Sequence, residues 1–446
     1  MMETQPEIFA QHYAEARLVE KSAACWGKAG HRSAARSAMA EAAAQLRKGL
    51  DQLALLPDAP ERRRQELEFW SALGAVMVAV KGYAAPETGQ AYARARELWE
   101  QLGSPSEFLG HFRGLARYHA HRGEIDLALS LDEDLLRLSR QRNDSAGLVM
   151  GHASSGTDLG FAGRFASARS HLEEALALYD PNSHRSLVHH AGIHPHVTTQ
   201  SFLGIVLFCL GHPDQALARS NAAIAEARRL AHLPSLANSL SDGTRLLSLL
   251  GDDAALGRRV DQLVAVTTEQ GFRQWRPFGS IYRGSVKARS GDVVEGISFL
   301  RSGTNTYCAT GATLWIPHHT ALLAEACEIA GKIEEAVTLL DEALQRTGAR
   351  WFAAEFSRRK GQLLLRQGHH EAAEELFCKA LSIAEEQEAK MWELRAAVSL
   401  GRLRCEQGRR AEARDLLAPV YGWFSEGFDT ADLKEAKALL DELEGA

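Results

Sequence analysis

The chain has 446 residues, with 51 Lys and Arg against 57 Asp and Glu and a formal net charge of −6. That balance excludes the broad positive field by which a protein holds nucleic acid or an anionic membrane surface. Abundant Ala, Leu, Glu and Arg with only 12 Pro favour helix along nearly the whole length, and almost no sheet is expected.

The opening residues, MMETQPEIFAQHYAEARLVEKS, are polar and amphipathic and lack the basic segment and apolar core of a secretory signal. The most apolar stretch, Leu203 to Leu210, is far shorter than the ~20 residues that cross a bilayer. A cytoplasmic location with no membrane partner is therefore expected. Cys25, Cys209, Cys308, Cys327, Cys378 and Cys405 lie far apart without a C-x-x-C pair, and are read as reduced, mostly buried packing residues. Within residues 1–114, Ala34 to Leu53 and Gln90 to Leu102 show helical apolar spacing, and this stretch is expected to hold atypical N-terminal repeats.

From about residue 115 a glycine ladder appears at Gly123, Gly163, Gly211, Gly251, Gly291, Gly331, Gly368 and Gly408, with gaps of 40, 48, 40, 40, 40, 37 and 40. A small residue stands seven before and five after most of these glycines, as in Gly156/Gly163/Ala168, Gly204/Gly211/Ala216 and Gly361/Gly368/Ala373. The spacing predicts a helix A that ends at the glycine, a tight crossing at the two small residues, and an amphipathic helix B such as Ala373, Leu376, Phe377, Ala380, Leu381. The Gly251 unit, with Thr244 and Leu256 in the small slots, fits least well and predicts the least regular point of the stack. Inside the 48-residue gap, Pro181 and Pro195 break helix, so the longest loop is expected near 180–197. Residues 115–420 form the regular array. In 421–446, Asp429 or Thr430 is placed to cap a last helix, DLKEAKALLDELEGA, with a charged outer face.

The G-x6-G-x4-A spacing resembles the tetratricopeptide repeat. The usual unit is ~34 residues, so the 40-residue period implies longer helices or longer connections. The implied fold is all-α, a right-handed superhelical solenoid of about ten helix pairs. Longer phrases, among them LPDAPERRRQELE, KGYAAPETGQAYARARELWEQLG and VYGWFSEGFDTADLKEAKALLDEL, resemble the C-terminal region of bacterial regulators that carry an adenylate/guanylate cyclase domain, then an AAA-type ATPase, then a tetratricopeptide array. That resemblance implies a signalling context and a cyclase/ATPase module as partner. It also leaves open a truncated or split part of a cyclase, or the sensing arm of an ATP-dependent transcriptional regulator. No G-x-x-x-x-G-K-[ST] string occurs to cradle a nucleotide phosphate, and no strand set offers paired metal-binding aspartates.

Three clusters are candidates for chemistry. His184, His189, His190, His194 and His196 could gather on a loop to bind zinc, copper or nickel, but no Cys or carboxylate pair completes a ligand set. The arginine pairs Arg228-Arg229, Arg258-Arg259, Arg358-Arg359 and Arg409-Arg410, with Arg62 to Arg64, have acids such as Glu61, Glu66, Glu226, Asp261, Glu355 and Glu412 nearby, and read first as solvated ion-paired faces. An anionic peptide or nucleotide on the concave wall is the sharper reading of them. Trp275, Phe278, Tyr282, Trp315, Trp351 and Phe352 read first as packing between repeats, and second as the lining of a groove. No catalytic, cofactor-binding or metal-binding residue is nominated, and no cofactor or enzymatic activity is expected. A protein or peptide partner on the concave face of the A helices is.

Overall fold

Among the described residues ten antiparallel helix pairs follow one another along the chain, because each unit ends one helix at a turn and buries an apolar stripe against the next. The computed structural model describes residues 5–105, 110–184, 187–188, 192–345 and 350–444, and among them are 22 α-helices and no strand. A leading helix α1 (Pro6–Glu15) precedes the pairs α2/α3 (Val19–Ala35, Met39–Leu53), α4/α5 (Pro60–Lys81, Pro86–Gln101), α6/α7 (Gly110–His121, Ile125–Arg142) and α8/α9 (Ser145–Phe161, Phe165–Leu178). Then come α10/α11 (Pro195–Cys209, Pro213–Arg229), α12/α13 (Leu233–Leu250, Asp253–Glu269), α14/α15 (Arg276–Arg289, Val293–Cys308) and α16/α17 (Ile316–Ile329, Ile333–Gln345). The last pairs are α18/α19 (Ala353–Arg366, His370–Glu386) and α20/α21 (Lys390–Glu406, Arg410–Gly422), and α22 (Ala431–Glu444) closes the stack. The even-numbered A helices pack on one another as well as on their B partners, so they form the inner wall of a curved array.

All eight ladder glycines hold left-handed φ values between 73° and 103°, and close the A-to-B turns. The small residues sit at the helix crossings: a Cβ on Gly156 would lie 3.0 Å from the Ala168 carbonyl, and one on Gly204 2.9 Å from that of Ala216. The Gly251 turn forms like the others, with Thr244 and Leu256 fully buried. The helix expected over Ala34 to Leu53 is in fact two. Ser37, at φ 60°, splits it, and Gly30/Ser37/Ala42 repeats the trio with a non-glycine turn residue. Pro195 does not break a helix but opens α10, where its missing N–H costs nothing. Thr430 precedes α22, but its hydroxyl donates to the Gly427 carbonyl at 2.7 Å instead of capping the helix. Of the cysteines, Cys25, Cys209 and Cys327 are buried and Cys405 is partly so, whereas Cys308 and Cys378 are exposed.

The superhelix closes on itself. The Tyr83 amide donates to Gln274 Oε1 at 3.3 Å, 191 residues away, and Thr313 N donates to the His121 carbonyl at 2.7 Å. Arg350 forks onto Asp126 with both contacts at 3.2 Å, and its carbonyl accepts from Gln387 Nε2 at 2.7 Å. Glu426 accepts from the amides of Asp214 and Gln215 at 3.0 and 3.1 Å. The turns at Gly82, Gly123, Gly163 and Gly211 thus meet the connections at Thr310, Thr313, Gln387 and Trp423, whereas a Cβ on Gly291, Gly331, Gly368 or Gly408 would meet open space. One superhelical turn is stacked on the next along this seam.

Candidate functional site

The closed superhelix leaves little of its inner wall open. A rod of aromatic rings runs through the centre: Phe161 to Trp315 at 4.7 Å between centroids, Trp315 to Trp351 at 5.5 Å, Trp351 to Phe352 at 4.8 Å, and Phe352 to Trp392 at 5.3 Å. Phe208 meets Trp392 from the opposite side at 5.7 Å. The six aromatics read as packing residues are all buried and belong to the core, and Phe352 also lines the cavity at the C-terminal end. Arg245, fully buried, lies 3.3 Å from the Trp315 ring centre and pairs with Asp242 at 2.5 Å, so its charge is met by a carboxylate and a π face together. Nearby, Arg117 is paired with buried Asp158. Burial and the Asp158 charge push the Asp132 carboxyl well above its ordinary range.

The long connection after α9 covers part of the inner wall, and a Cβ on Gly192 would come within 2.5 Å of the Ala75 carbonyl in α4. Its histidines gather round one tyrosine. Tyr179 Oη lies 3.1 Å from His194 Nε2, the His196 ring stacks on Tyr179 at 4.6 Å, and His184 Nδ1 accepts from the Asp180 amide at 3.0 Å. Burial lowers the His196 pKa, which keeps the imidazole neutral. His189 and His190 lie outside the described residues. Among the described residues no group of three His, Cys, Asp or Glu side chains is placed to hold a metal ion.

At the C-terminal end the space enclosed by the inner wall opens as a channel mouth, a cavity of about 190 Å³ between α12, α14, α16, α18, α20 and α22. Its wall is an alternating chain of charges. Asp253 pairs with Arg289 at 3.1 Å, Arg289 with Glu325 at 3.4 Å, Glu325 with Arg359 at 3.2 Å, and Arg359 with Glu355 at 2.9 Å. Glu355 also takes Arg358 at 2.6 Å and Arg395 at 3.6 Å, and Arg395 ends on Asp432 at 2.8 Å. Burial alone would raise the Glu355 carboxyl, but Arg358, Arg395 and Arg359 outweigh it and hold it far below the usual carboxylate range. Glu325 is lowered in the same way by Arg359 and Arg289. Burial pushes His318 well down, so a neutral imidazole faces the same cavity. The mouth therefore presents fixed guanidinium and carboxylate groups, matched in charge and held by one another.

The arginine pairs divide. Arg229 with Glu226, Arg409 with Glu412 and Arg63 with Asp58 are ion pairs on solvated surface. Arg358-Arg359 departs from that reading, for its carboxylate partner Glu355 is 1% exposed and the pair lines the channel mouth. Arg289, Glu325, Arg395 and Asp432 were not singled out from sequence, although for Glu325 and Arg395 a signal was present. Counted back thirteen residues from successive ladder glycines stand Thr198, Asn238, Phe278, His318, Glu355 and Arg395, and six residues back stand Arg245, Ser285, Glu325 and Gln362. Residues seven apart share one helix face, and all of these but Ser285 line the inner cavities.

Comparison with known proteins agrees with this architecture. The tetratricopeptide repeat family model matches residues 197–220 and 317–342, each spanning an A helix, its ladder glycine and the start of B. Over 410 residues the chain is 26% identical to an uncharacterized protein of Rhizobium meliloti (strain 1021), covering 90% of this chain and 39% of that relative. The chain thus spans about two-fifths of the relative's length. A solved Rap protein complexed with Competence and Sporulation Factor is similar at a TM-score of 0.54 and 11% identity, over 82% of this chain and 99% of that one. The hetero-tetramer Cut9-Hcn1 gives a TM-score of 0.47 at 13% identity, over 99% of this chain and 76% of that one. The family model and the likeness to the Rap protein show the fold, a helical solenoid with tetratricopeptide repeats.

Proposed function

We propose that this chain takes a charged segment of a partner polypeptide into the channel mouth, as the sensing arm of a longer cytoplasmic bacterial signalling protein. The observation that supports this is the alternating chain from Asp253 to Asp432 around an open cavity. Buried ion pairs add little net stability relative to packed apolar residues, but an incoming carboxylate or ammonium finds a ready, correctly spaced partner among them. The 190 Å³ space suits one side chain or chain end rather than a whole ligand. Likeness to a Rap protein held in complex with Competence and Sporulation Factor fits such a role. The resemblance to cyclase–ATPase regulators, and the two-fifths coverage of a longer relative, fit a piece whose output modules lie elsewhere in the protein.

Selection of random dodecapeptides on phage against the purified chain tests the reading. Enriched peptides are expected to bind Arg359→Ala at least about tenfold more weakly than wild type, the scale of a lost buried charged contact. Peptides that bind both proteins equally would place recognition elsewhere.

A further inference from the structure

A second opening lies on the seam, a groove of about 1010 Å³ between the two superhelical turns. One bank is built by Lys81, the Ala84–Pro86 connection and Arg122 from the first turn, and the other by Arg273 and Arg276 with the face of α15 from the second. Among the described residues four cations line it against a single carboxylate, Glu87, in a chain whose net charge is −6. Lys81 spends part of its charge on Glu87 at 3.3 Å and Arg122 on Glu124 at 3.1 Å, while Arg273 and Arg276 are exposed. Between the charges the walls are small and apolar, at Ala84, Ala85, Pro86, Pro277 and Ala309.

We propose that this seam groove binds an acidic, extended peptide segment that bridges the two superhelical turns. Cations on both banks suit a chain that displays carboxylates to either side, and the flat apolar floor accepts its backbone and small side chains. A compact phosphorylated molecule fits less well, since it needs donors that converge on one point. Here the wall hydroxyls of Ser280, Thr306 and Thr310 already donate to the carbonyls of Phe299, Ser302 and Tyr307. Because its banks are 191 residues apart at the Tyr83–Gln274 contact, the site exists only in the closed superhelix, and its occupant holds the seam shut. It is separate from the channel mouth, so either site can fail without the other.

The probe is a fluorescein-labelled peptide of three Glu-Glu-Ala-Ala repeats, capped at its other end, whose extended chain displays carboxylates to both sides, followed by anisotropy. The double variant Arg273→Glu/Arg276→Glu, at exposed positions, is expected to weaken binding by about tenfold or more, and added salt to weaken it in wild type. The control Arg228→Glu/Arg229→Glu should change it less than about twofold. Hydrogen exchange should show added protection of the Tyr83 and Thr313 amides on binding. No binding to wild type, equal loss in both variants, unchanged seam protection, or preference for pyrophosphate or adenosine monophosphate over the peptide would each overturn the proposal.

Discussion

Glu355 shows what a single buried carboxylate does in this molecule. Three guanidinium groups converge on it, and Glu355→Gln would leave them facing one another in the interior. The expected loss is about 3–5 kcal/mol, the range for breaking a buried ion pair from one side. The pH dependence has a definite sign. Because its folded pKa lies below the ordinary 4.5, the stabilisation by Glu355 is fully present above that value and is lost as pH falls below it. Asp132 acts oppositely: with its pKa raised by burial and by Asp158, its contribution is lost as pH rises through the folded value, and Asp132→Asn should melt no lower than wild type near neutral pH. Thermal melts from about pH 3 to pH 9 test both. An unchanged acid limb in Glu355→Gln would contradict the first assignment, and a large loss in Asp132→Asn the second.

At the scale of the helix pair, the small-residue trio decides how closely A and B approach, and the approach is unequal along the stack. A Cβ on Gly284 would meet the Gly296 carbonyl at 2.7 Å and the Leu300 amide at 2.8 Å, both backbone atoms that cannot swing aside. On Gly401 the nearest atom is a Leu439 methyl at 3.4 Å. Gly284→Ala should therefore cost about 1–3 kcal/mol by overpacking, whereas Gly401→Ala should stabilise by up to about 1 kcal/mol through helix propensity. Urea denaturation of the two variants measures the difference, and equal effects would mean that the trio is not a packing signature. Gly361 is intermediate in kind, with the Phe377 ring at 2.6 Å and the Ala373 carbonyl at 3.2 Å. Leucine there should strip exchange protection from α18 and α19, while Glu371→Leu on the exposed face should leave it intact.

For the whole molecule, the seam and the aromatic rod join repeats that an open solenoid would keep independent. In an open array each repeat contacts only its neighbours, and damage spreads only to them. Trp315 instead touches Phe161, from a repeat more than 150 residues earlier in the chain, besides Trp351 and Arg245. Trp315→Ala should cost about 3–5 kcal/mol and lower hydrogen-exchange protection in α8 and α12 as well as in α16. Loss confined to α14 through α18 would show that the turns of the superhelix do not support one another.

The helices, their turns and their pairing were legible in the sequence because each is a local matter: glycine at a left-handed turn, small residues at a crossing, and apolar residues at helical spacing. The Ser37 turn is hidden in the sequence because serine does not mark a left-handed turn as glycine does, although it can hold the same φ at some cost. The two channel-facing columns were also written there, but they become visible only once the ladder supplies a register. What only the tertiary structure decided is closure. Curvature accumulates by a small rotation per repeat, so no single unit encodes whether residue 83 will meet residue 274. Closure makes the aromatics a core, turns Arg358-Arg359 from a solvated face into the wall of a channel, and places Lys81 and Arg122 across a groove from Arg273 and Arg276.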